Sequence, residues 1–438
     1  DIARIDATSV TPEAFFEAYV AKRLPVVIRG HFTEAQGWKA HTWSNARLRE
    51  LAGEAVVQVE KRKDTADRFG RGHEISMKFG EFLECVDKGD PTTYMTTQDT
   101  VLDLEGRPLL TAPPVTQLLA DVPIKCPLLP TLIPANLNVW MGGGGCPSAA
   151  AVAEGRASPT PIRSATGLHQ DFHDNVYVVL RGSKHLQLFS PKDTHRMYTA
   201  GTVSQVHPNG LINYEGEETT AEGVTVPAQE AATLAQQLEE AQQALDEVAD
   251  GDEEAAEAAE ARVEELMMLI LEAEGDDGGE DFSDDDEEEG VFFGEGAVAP
   301  PEPKADAGAG AAAATKAPTS EVGERAPRTK GDGKLPKNFS LVDLSQDDAA
   351  IAAKFPLFAG ADRWSVVVEA GEMLYMPAGW FHYVTSAPPA DGRPAFGTEA
   401  DGGHMAFNYW AHPPSTASFS SPYESDFWQA VRGWKFGS

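Results

Sequence analysis

The chain has 438 residues, 42% hydrophobic and 24% charged, enough apolar material for a sizeable core; its three cysteines, Cys85, Cys126 and Cys146, exclude a disulfide framework and point to a reducing compartment, the cytoplasm or else the nucleus. No stretch approaches the roughly 20 apolar residues of a membrane span, no signal-peptide pattern opens the chain, and a start at Asp1 rather than methionine predicts a preceding segment. The net charge of −34 is local: residues 215–290 hold 29 of the 69 acidic side chains and one basic one, Arg262, leaving a body at net −6 with no phosphate-binding stripe, which disfavours nucleic acid as partner.

In chain order, Thr11 as cap and Pro12 as first residue predict a helix carrying Phe15, Phe16 and Tyr19, and Pro25-Val-Val-Ile28 opens a strand. Short helices near Ser44–Ala52 and Lys78–Val86 flank the strand Val56–Glu60. Asn136–Met141 reads as a further strand, followed by a Gly- and Ala-rich loop from Gly142 through Thr160 that is expected to bulge into solvent.

The first segment with chemical content is His169-Gln-Asp171, which alone is close to chance in a chain with 11 histidines. The stretch after it is more telling: a strand, a Gly182-Ser183 turn and a second strand. Alternation sets Asn175, Tyr177 and Val179 on one face of the first, and Lys184, Leu186 and Leu188 on one face of the second. A lysine that shares a core face with two leucines needs a partner, and a bound dicarboxylate would supply one. The other arrangement would turn Lys184 to solvent and His185, Gln187 and Phe189 inward.

Beyond this lies the acidic insertion. Leu234, Leu238, Ala241, Leu245 and Val248 follow a four-three apolar seam, Asp250–Glu254 reads as a turn, and Val263, Leu266 and Ile270 continue the seam, so a self-paired helical hairpin is expected. The runs Asp284–Glu289 and Ala309–Thr315, with scattered Pro and Gly through Pro336, cannot bury enough apolar surface to order themselves. Such a charge block is either a solvated loop or a capture site for a basic partner. The second chemical segment then reads strand, Ala370-Gly371 turn, strand, Pro377-Ala-Gly379 corner and a strand containing Trp380-Phe-His382. Phe427, Trp428, Val431 and Trp434 predict a C-terminal amphipathic helix.

Two imidazoles and one carboxylate, His169, Asp171 and His382, are the ligand set that holds non-haem Fe(II) on one face and leaves other positions open. With Asn175, Lys184, Gly371–His382 and Phe407-Asn-Tyr-Trp410, the pattern resembles the JmjC-domain, cupin-like Fe(II)- and 2-oxoglutarate-dependent oxygenases, most closely their small stand-alone lysyl hydroxylases. The likeness covers nearly the whole chain outside the insertion. It implies a double-stranded β-helix, a jelly-roll of mainly β structure with flanking helices. It further implies that His169, Asp171 and His382 bind Fe(II), and that Lys184 pairs with the distal carboxylate of 2-oxoglutarate with Thr166 and Tyr94 hydrogen-bonded to the same group. Asn175 and Asn408 would lie beside the cosubstrate, and Tyr177 and Trp410 would line the pocket.

The expected reaction consumes O2 and 2-oxoglutarate and hydroxylates a protein side chain, lysine in the first instance. An N-methyl-lysine demethylase uses the same site, although the chain carries no chromatin-reading module or zinc-ligand cluster. A non-catalytic scaffold that binds through the acidic insertion is the alternative from another class. The substrate is expected to be a protein, with basic character matching the insertion, and relatives' C-terminal helices imply a homodimer. The expected organisation is an N-terminal elaboration at 1–130, barrel halves at 131–218 and 337–415, the insertion at 219–336 with its hairpin at about 227–273, and the C-terminal helix at 416–438.

Overall fold

The computed structural model describes residues 2–62, 73–100, 109–143, 164–246, 248, 253–275, 335–387, 401–425, 427, 428 and 431. Most of the Gly142–Thr160 loop, Cys146, the runs at 284–289 and 309–315, and Trp434 lie outside them. Sixteen strands are described in this order: β1 (Ala3–Asp6), β2 (Val26–Arg29), β3 (Val56–Lys61), β4 (His73–Lys78), β5 (Thr93–Met95), β6 (Pro134–Gly142), β7 (Ser164–Ala165), β8 (His169–Gln170), β9 (Asp174–Arg181), β10 (Ser183–Phe189), β11 (Val203–Val206), β12 (Ile212–Tyr214), β13 (Trp364–Glu369), β14 (Glu372–Met376), β15 (Phe381–Ala387) and β16 (His404–Ala411). They form a nine-stranded sheet ordered β1-β2-β14-β9-β16-β6-β5-β3-β4, a smaller sheet ordered β13-β10-β15-β7 with β8 added beside β15, and the β11-β12 ribbon. All pairings but β1-β2 are antiparallel. Two facing, almost wholly antiparallel sheets with helices outside are the jelly-roll arrangement that the family resemblance implies.

Strand β9 explains the layering. Val176, Val178 and Leu180 join a core that also holds Phe15, Phe16, Trp38, Phe79 and Phe82 from the helical layer. Its other face carries Tyr177 and Val179 into a second core with Leu186, Leu188, Leu374 and Trp380, between the two sheets. A strand buried on both faces needs a near-continuous apolar run, as found here. The N-terminal helix begins as expected, with Thr11 Oγ1 accepting from Ala14 N–H and Pro12 at the first turn. It passes into a π-turn over Phe16–Val20, which places Phe15 and Phe16 both at under 2% exposure.

The corner at Pro377-Ala-Gly379 carries the chain from β14 in the large sheet to β15 in the small one. Gly379 has φ +79°, and a Cβ there would meet the Gly210 carbonyl oxygen at 1.8 Å. Gly379→Ala is therefore expected to cost about 3 kcal/mol or more in chemical denaturation, because both backbone strain and an unyielding carbonyl oppose it.

Helices Val226–Asp246 and Glu253–Gly275 pair through Leu238, Ala241 and Leu266, with Leu234, Val263 and Ile270 packed alongside. At the C-terminus, Phe427, Trp428 and Val431 are buried in the main core.

Candidate metal centre

The His169-Gln-Asp171 segment and the strand bearing His382 meet because β8 pairs with β15 in a register that sets His169 opposite His382. Their rings lie 4.2 Å apart between centroids, and Asp171 reaches both: Oδ1 is 3.8 Å from His169 Nε2 and Oδ2 is 3.6 Å from His382 Nε2. One ligand atom from each residue lies within 4.8 Å of the other two. Each imidazole is oriented by its own backbone: Nδ1 of His169 stands 2.8 Å from the Gly167 carbonyl, and Nδ1 of His382 stands 3.0 Å from that of Trp380. Donation from Nδ1 leaves Nε2 as the lone-pair donor towards the centre, the tautomer that a metal ligand requires. Burial, then the nearby His169, holds His382 well below the usual histidine range and therefore neutral. Burial also raises the Asp171 carboxyl, against the pull of His169 and His173, so a cation at the centre would relieve a carboxylate that is costly to ionise. The donor set thus fits Fe(II), with one face left open.

The pocket beside this triad ends on Lys184. Its side chain is among the largest fully buried ones, with Nζ donating to Ser386 Oγ at 2.7 Å and to Tyr94 O–H at 3.4 Å, and the Tyr94 and Tyr177 rings lie 5.6 and 5.8 Å away. Burial alone pushes its pKa down to about 7. Among the described residues no carboxylate pairs with it, and Thr166 Oγ1, also on the pocket wall, is buried without a hydrogen bond. A cation and a hydroxyl that converge on a cavity beside a metal triad fit the far carboxylate of a dicarboxylate such as 2-oxoglutarate. The inward arrangement of Lys184, Leu186 and Leu188 is the one observed.

Tyr94, Thr166, Asn175, Tyr177 and Lys184 all line the pocket together with the three triad residues. Asn408 and Trp410 lie beside that wall on β16, Asn408 opposite Tyr177 and Trp410 opposite Asn175 in the β16-β9 pairing. Asn408 donates to Asn175 Oδ1 at 3.2 Å, and Trp410 packs edge-on to Trp140, which does line the pocket, with His173 stacked on Trp410 as well. In the β16-β6 pairing Trp140 stands opposite Ala406, so alternation puts Trp140, Ala406, Asn408 and Trp410 on one face of the sheet.

Sequence reasoning missed Ser386, Trp140, Phe339 and His404. Ser386 was reachable: β15 alternates, so His382, Val384 and Ser386 share one face, and Ser386 sits opposite Lys184. Phe339, stacked on His169 at 4.8 Å, comes just after the low-complexity stretch and carries no local signal. His404 lies 5.4 Å from the Tyr94 ring; burial first, then Lys184 and Arg181, holds it well below its usual range.

A buried carboxylate ties the two ligand segments together. Asp174 accepts from Arg23 at 2.5 and 2.7 Å, from Tyr375 O–H at 2.7 Å and from Ala378 N–H at 3.0 Å. The next residue along, Gly379, donates its N–H to the Asp171 carbonyl at 2.9 Å, and Trp380 Nε1 donates to the Arg23 carbonyl at 3.1 Å. The corner before His382 is thus fastened to the strand after Asp171. Asp174→Asn leaves the Arg23 cation buried without its partner and is expected to cost roughly 3–5 kcal/mol in urea unfolding. A second change, Arg23→Met, should return part of that loss, which separates an orphaned charge from simple misfolding.

A double-stranded β-helix with a two-His, one-carboxylate triad between its sheets defines a cupin-type, non-haem metal centre. The chain belongs to the cupin-like domain family, which it matches over residues 12–417. It is 31% identical over 450 aligned positions to JmjC domain-containing protein 4 of Schizosaccharomyces pombe, covering 97% of this chain and 87% of that one. Human bifunctional peptidase and (3S)-lysyl hydroxylase JMJD7 is 26% identical over 229 residues, 48% of this chain and 61% of that protein. Arabidopsis thaliana lysine-specific demethylase JMJ32 is 39% identical over 67 residues, 15% and 16% of the two chains. These relatives place the chain among the JmjC proteins, whose members are Fe(II)- and 2-oxoglutarate-dependent oxygenases, hydroxylases and demethylases both among them.

Proposed function

We propose that this chain is an Fe(II)- and 2-oxoglutarate-dependent dioxygenase that hydroxylates a protein side chain, lysine being the favoured acceptor. The observation that carries the cosubstrate assignment is the buried Lys184 ammonium at the end of a pocket whose other end is the triad. His169, Asp171 and His382 would hold Fe(II), which when bound would supply the oxygen activation for a reaction that puts one atom of O2 into succinate, with release of carbon dioxide from 2-oxoglutarate, and the other into a substrate C–H bond. Lys184, with Thr166, Tyr94 and Ser386 around it, anchors and orients the cosubstrate, and Leu186, Leu374, Met376 and Val384 exclude water from its flanks.

Lysine as acceptor is supported by the name of the human relative, a lysyl hydroxylase, and the substrate is taken to be a protein segment of basic character. The plant relative's name, a lysine-specific demethylase, supports the second reading, in which hydroxylation of an N-methyl group ends in its release. Mass spectrometry of a basic peptide after turnover separates the two: one added oxygen supports side-chain hydroxylation, and loss of a methyl group overturns it. Absence of iron binding and of substrate-free succinate formation by the intact protein would instead favour a scaffold. A homodimer through the C-terminal helix is a proposal of the same standing; light scattering that returns a monomer mass rejects it. The cytoplasm is the proposed location, with the nucleus as the alternative.

A further inference from the structure

The helical hairpin carries apolar surface that its own packing does not use. Its seam takes Leu234, Leu238 and Ala241 from the first helix and Val263, Leu266 and Ile270 from the second. Met267, Met268 and Leu271 fall outside that seam and are 49%, 60% and 64% exposed. At 100° per residue they share one side of the helix with Glu260 and Glu264. Helix formation does not require them, because glutamate or lysine would serve as well at a solvated position. On the first helix, Val226, Gln229, Glu230, Thr233 and Leu234 line an open groove of about 470 Å³.

The location of this surface matters. The second helix follows the first after a short connection and packs against it through Leu266, so it runs back towards the body and the exposed stripe near its C-terminal end lies at the root of the hairpin and not at its tip. That root is anchored: Ala228 packs on the main core, and the backbone at Gly223 passes the carbonyl of Phe172, the residue after the metal ligand Asp171, at 4.0 Å from where a Cβ would stand. From Val226 to Leu234 is about 12 Å of helix rise. The stripe therefore lies within about two to three helical turns of the hairpin's anchored end.

Charge selects the occupant. Residues 226–275 carry 15 acidic side chains and one basic one, so a neutral or acidic helix is disfavoured and a basic one attracted. The apolar stripe selects further, for a partner with an apolar face, and methionine adapts to varied side chains. We propose that this side of the hairpin is the docking surface for a basic amphipathic helical segment of the protein substrate, which is held there while a neighbouring part of the same chain enters the metal pocket. The proposal rests on the protein-substrate reading above.

The test uses the full chain and a fluorescent peptide of leucine and lysine with leucines at helical i, i+3, i+4 spacing, alongside a peptide of the same composition in scrambled order. The ordered peptide is expected to bind at least ~10-fold more tightly than the scrambled one. The combined change Met267→Ser, Met268→Ser and Leu271→Ser should weaken ordered-peptide binding by at least ~10-fold without loss of helical circular dichroism. Met268→Glu alone, at the outer edge of the stripe, should weaken binding in the same direction without touching the seam. Equal binding of both peptides, or binding unchanged in the triple variant, would leave only polyanion attraction and overturn the proposal. It is equally overturned by a solution dimer that the triple variant dissolves, which assigns the stripe to a second copy, or by peptide binding that appears only after deletion of residues 276–334, which assigns it to that segment. Peptide binding is read without turnover, so an enzyme inactive towards 2-oxoglutarate refutes the proposed function and leaves this result standing.

Discussion

Asp171→Ala is expected to abolish 2-oxoglutarate turnover, by at least about 1,000-fold, and to leave the metal-free protein no less stable than the parent. The carboxylate bridges two imidazoles at 3.6 and 3.8 Å and supplies the only negative charge among the three candidate ligands. Without it, a divalent ion would meet two neutral donors and lose its facial arrangement. Stability should move the other way, because burial raises the Asp171 carboxyl and its ionised form is therefore a cost in the empty site. For a carboxyl raised on folding, that cost is absent below its unfolded value and grows as pH rises through the interval to the folded one, so at neutral pH removal relieves the cost. Metal titration followed by Co(II) absorption, together with thermal melting of the metal-free variant, checks both halves. A variant that melts well below the parent would show Asp171 to be a structural residue instead.

Lys184→Met is expected to weaken 2-oxoglutarate binding by about 100- to 1,000-fold while stabilising the ligand-free protein near neutral pH. Folding lowers the lysine from 10.5 to about 7, a burden of up to about 5 kcal/mol when the group is forced to stay charged. A cation whose folded pKa is depressed destabilises fully below that pKa, and the burden is relieved as pH rises towards the unfolded value. Parent stability should therefore climb between about pH 7 and 10, and the methionine variant should lack that climb. Cosubstrate affinity should show the opposite trend, falling as pH rises above about 7, because only the ammonium pairs with a carboxylate. Urea melts across this range and calorimetric titration with 2-oxoglutarate measure the two effects. A stability profile identical in parent and variant would sink the assignment of Lys184 as the buried cosubstrate anchor.

Both residues illustrate a division in what the chain spends stability on. Asp174 and Arg23 are also buried and charged, but they are paired with each other and fasten the His382 corner to the strand after Asp171. Asp171 and Lys184 face the cavity, where their compensation would come from bound groups. Charges satisfied within the fold build the site, and those left to a ligand give it affinity.

Much of this was legible locally. Period-two alternation placed Lys184, Leu186 and Leu188 inward because a strand with a buried face tolerates no frame shift, and the four-three seam of the insertion marked its hairpin. The pairing of two segments about two hundred residues apart rested on residue type and spacing, since each histidine alone would more often be an ordinary core residue. What the sequence determined is the inventory: two imidazoles, a carboxylate and a lysine where strands should put them inside. Tertiary structure decided the rest. Strand pairing set His169 opposite His382, put Trp140 on one face with Asn408 and Trp410, and brought Ser386 to Lys184 and Phe339 to His169. Such contacts depend on register between strands distant in sequence, and register is fixed by packing of the whole sandwich, which no local pattern records.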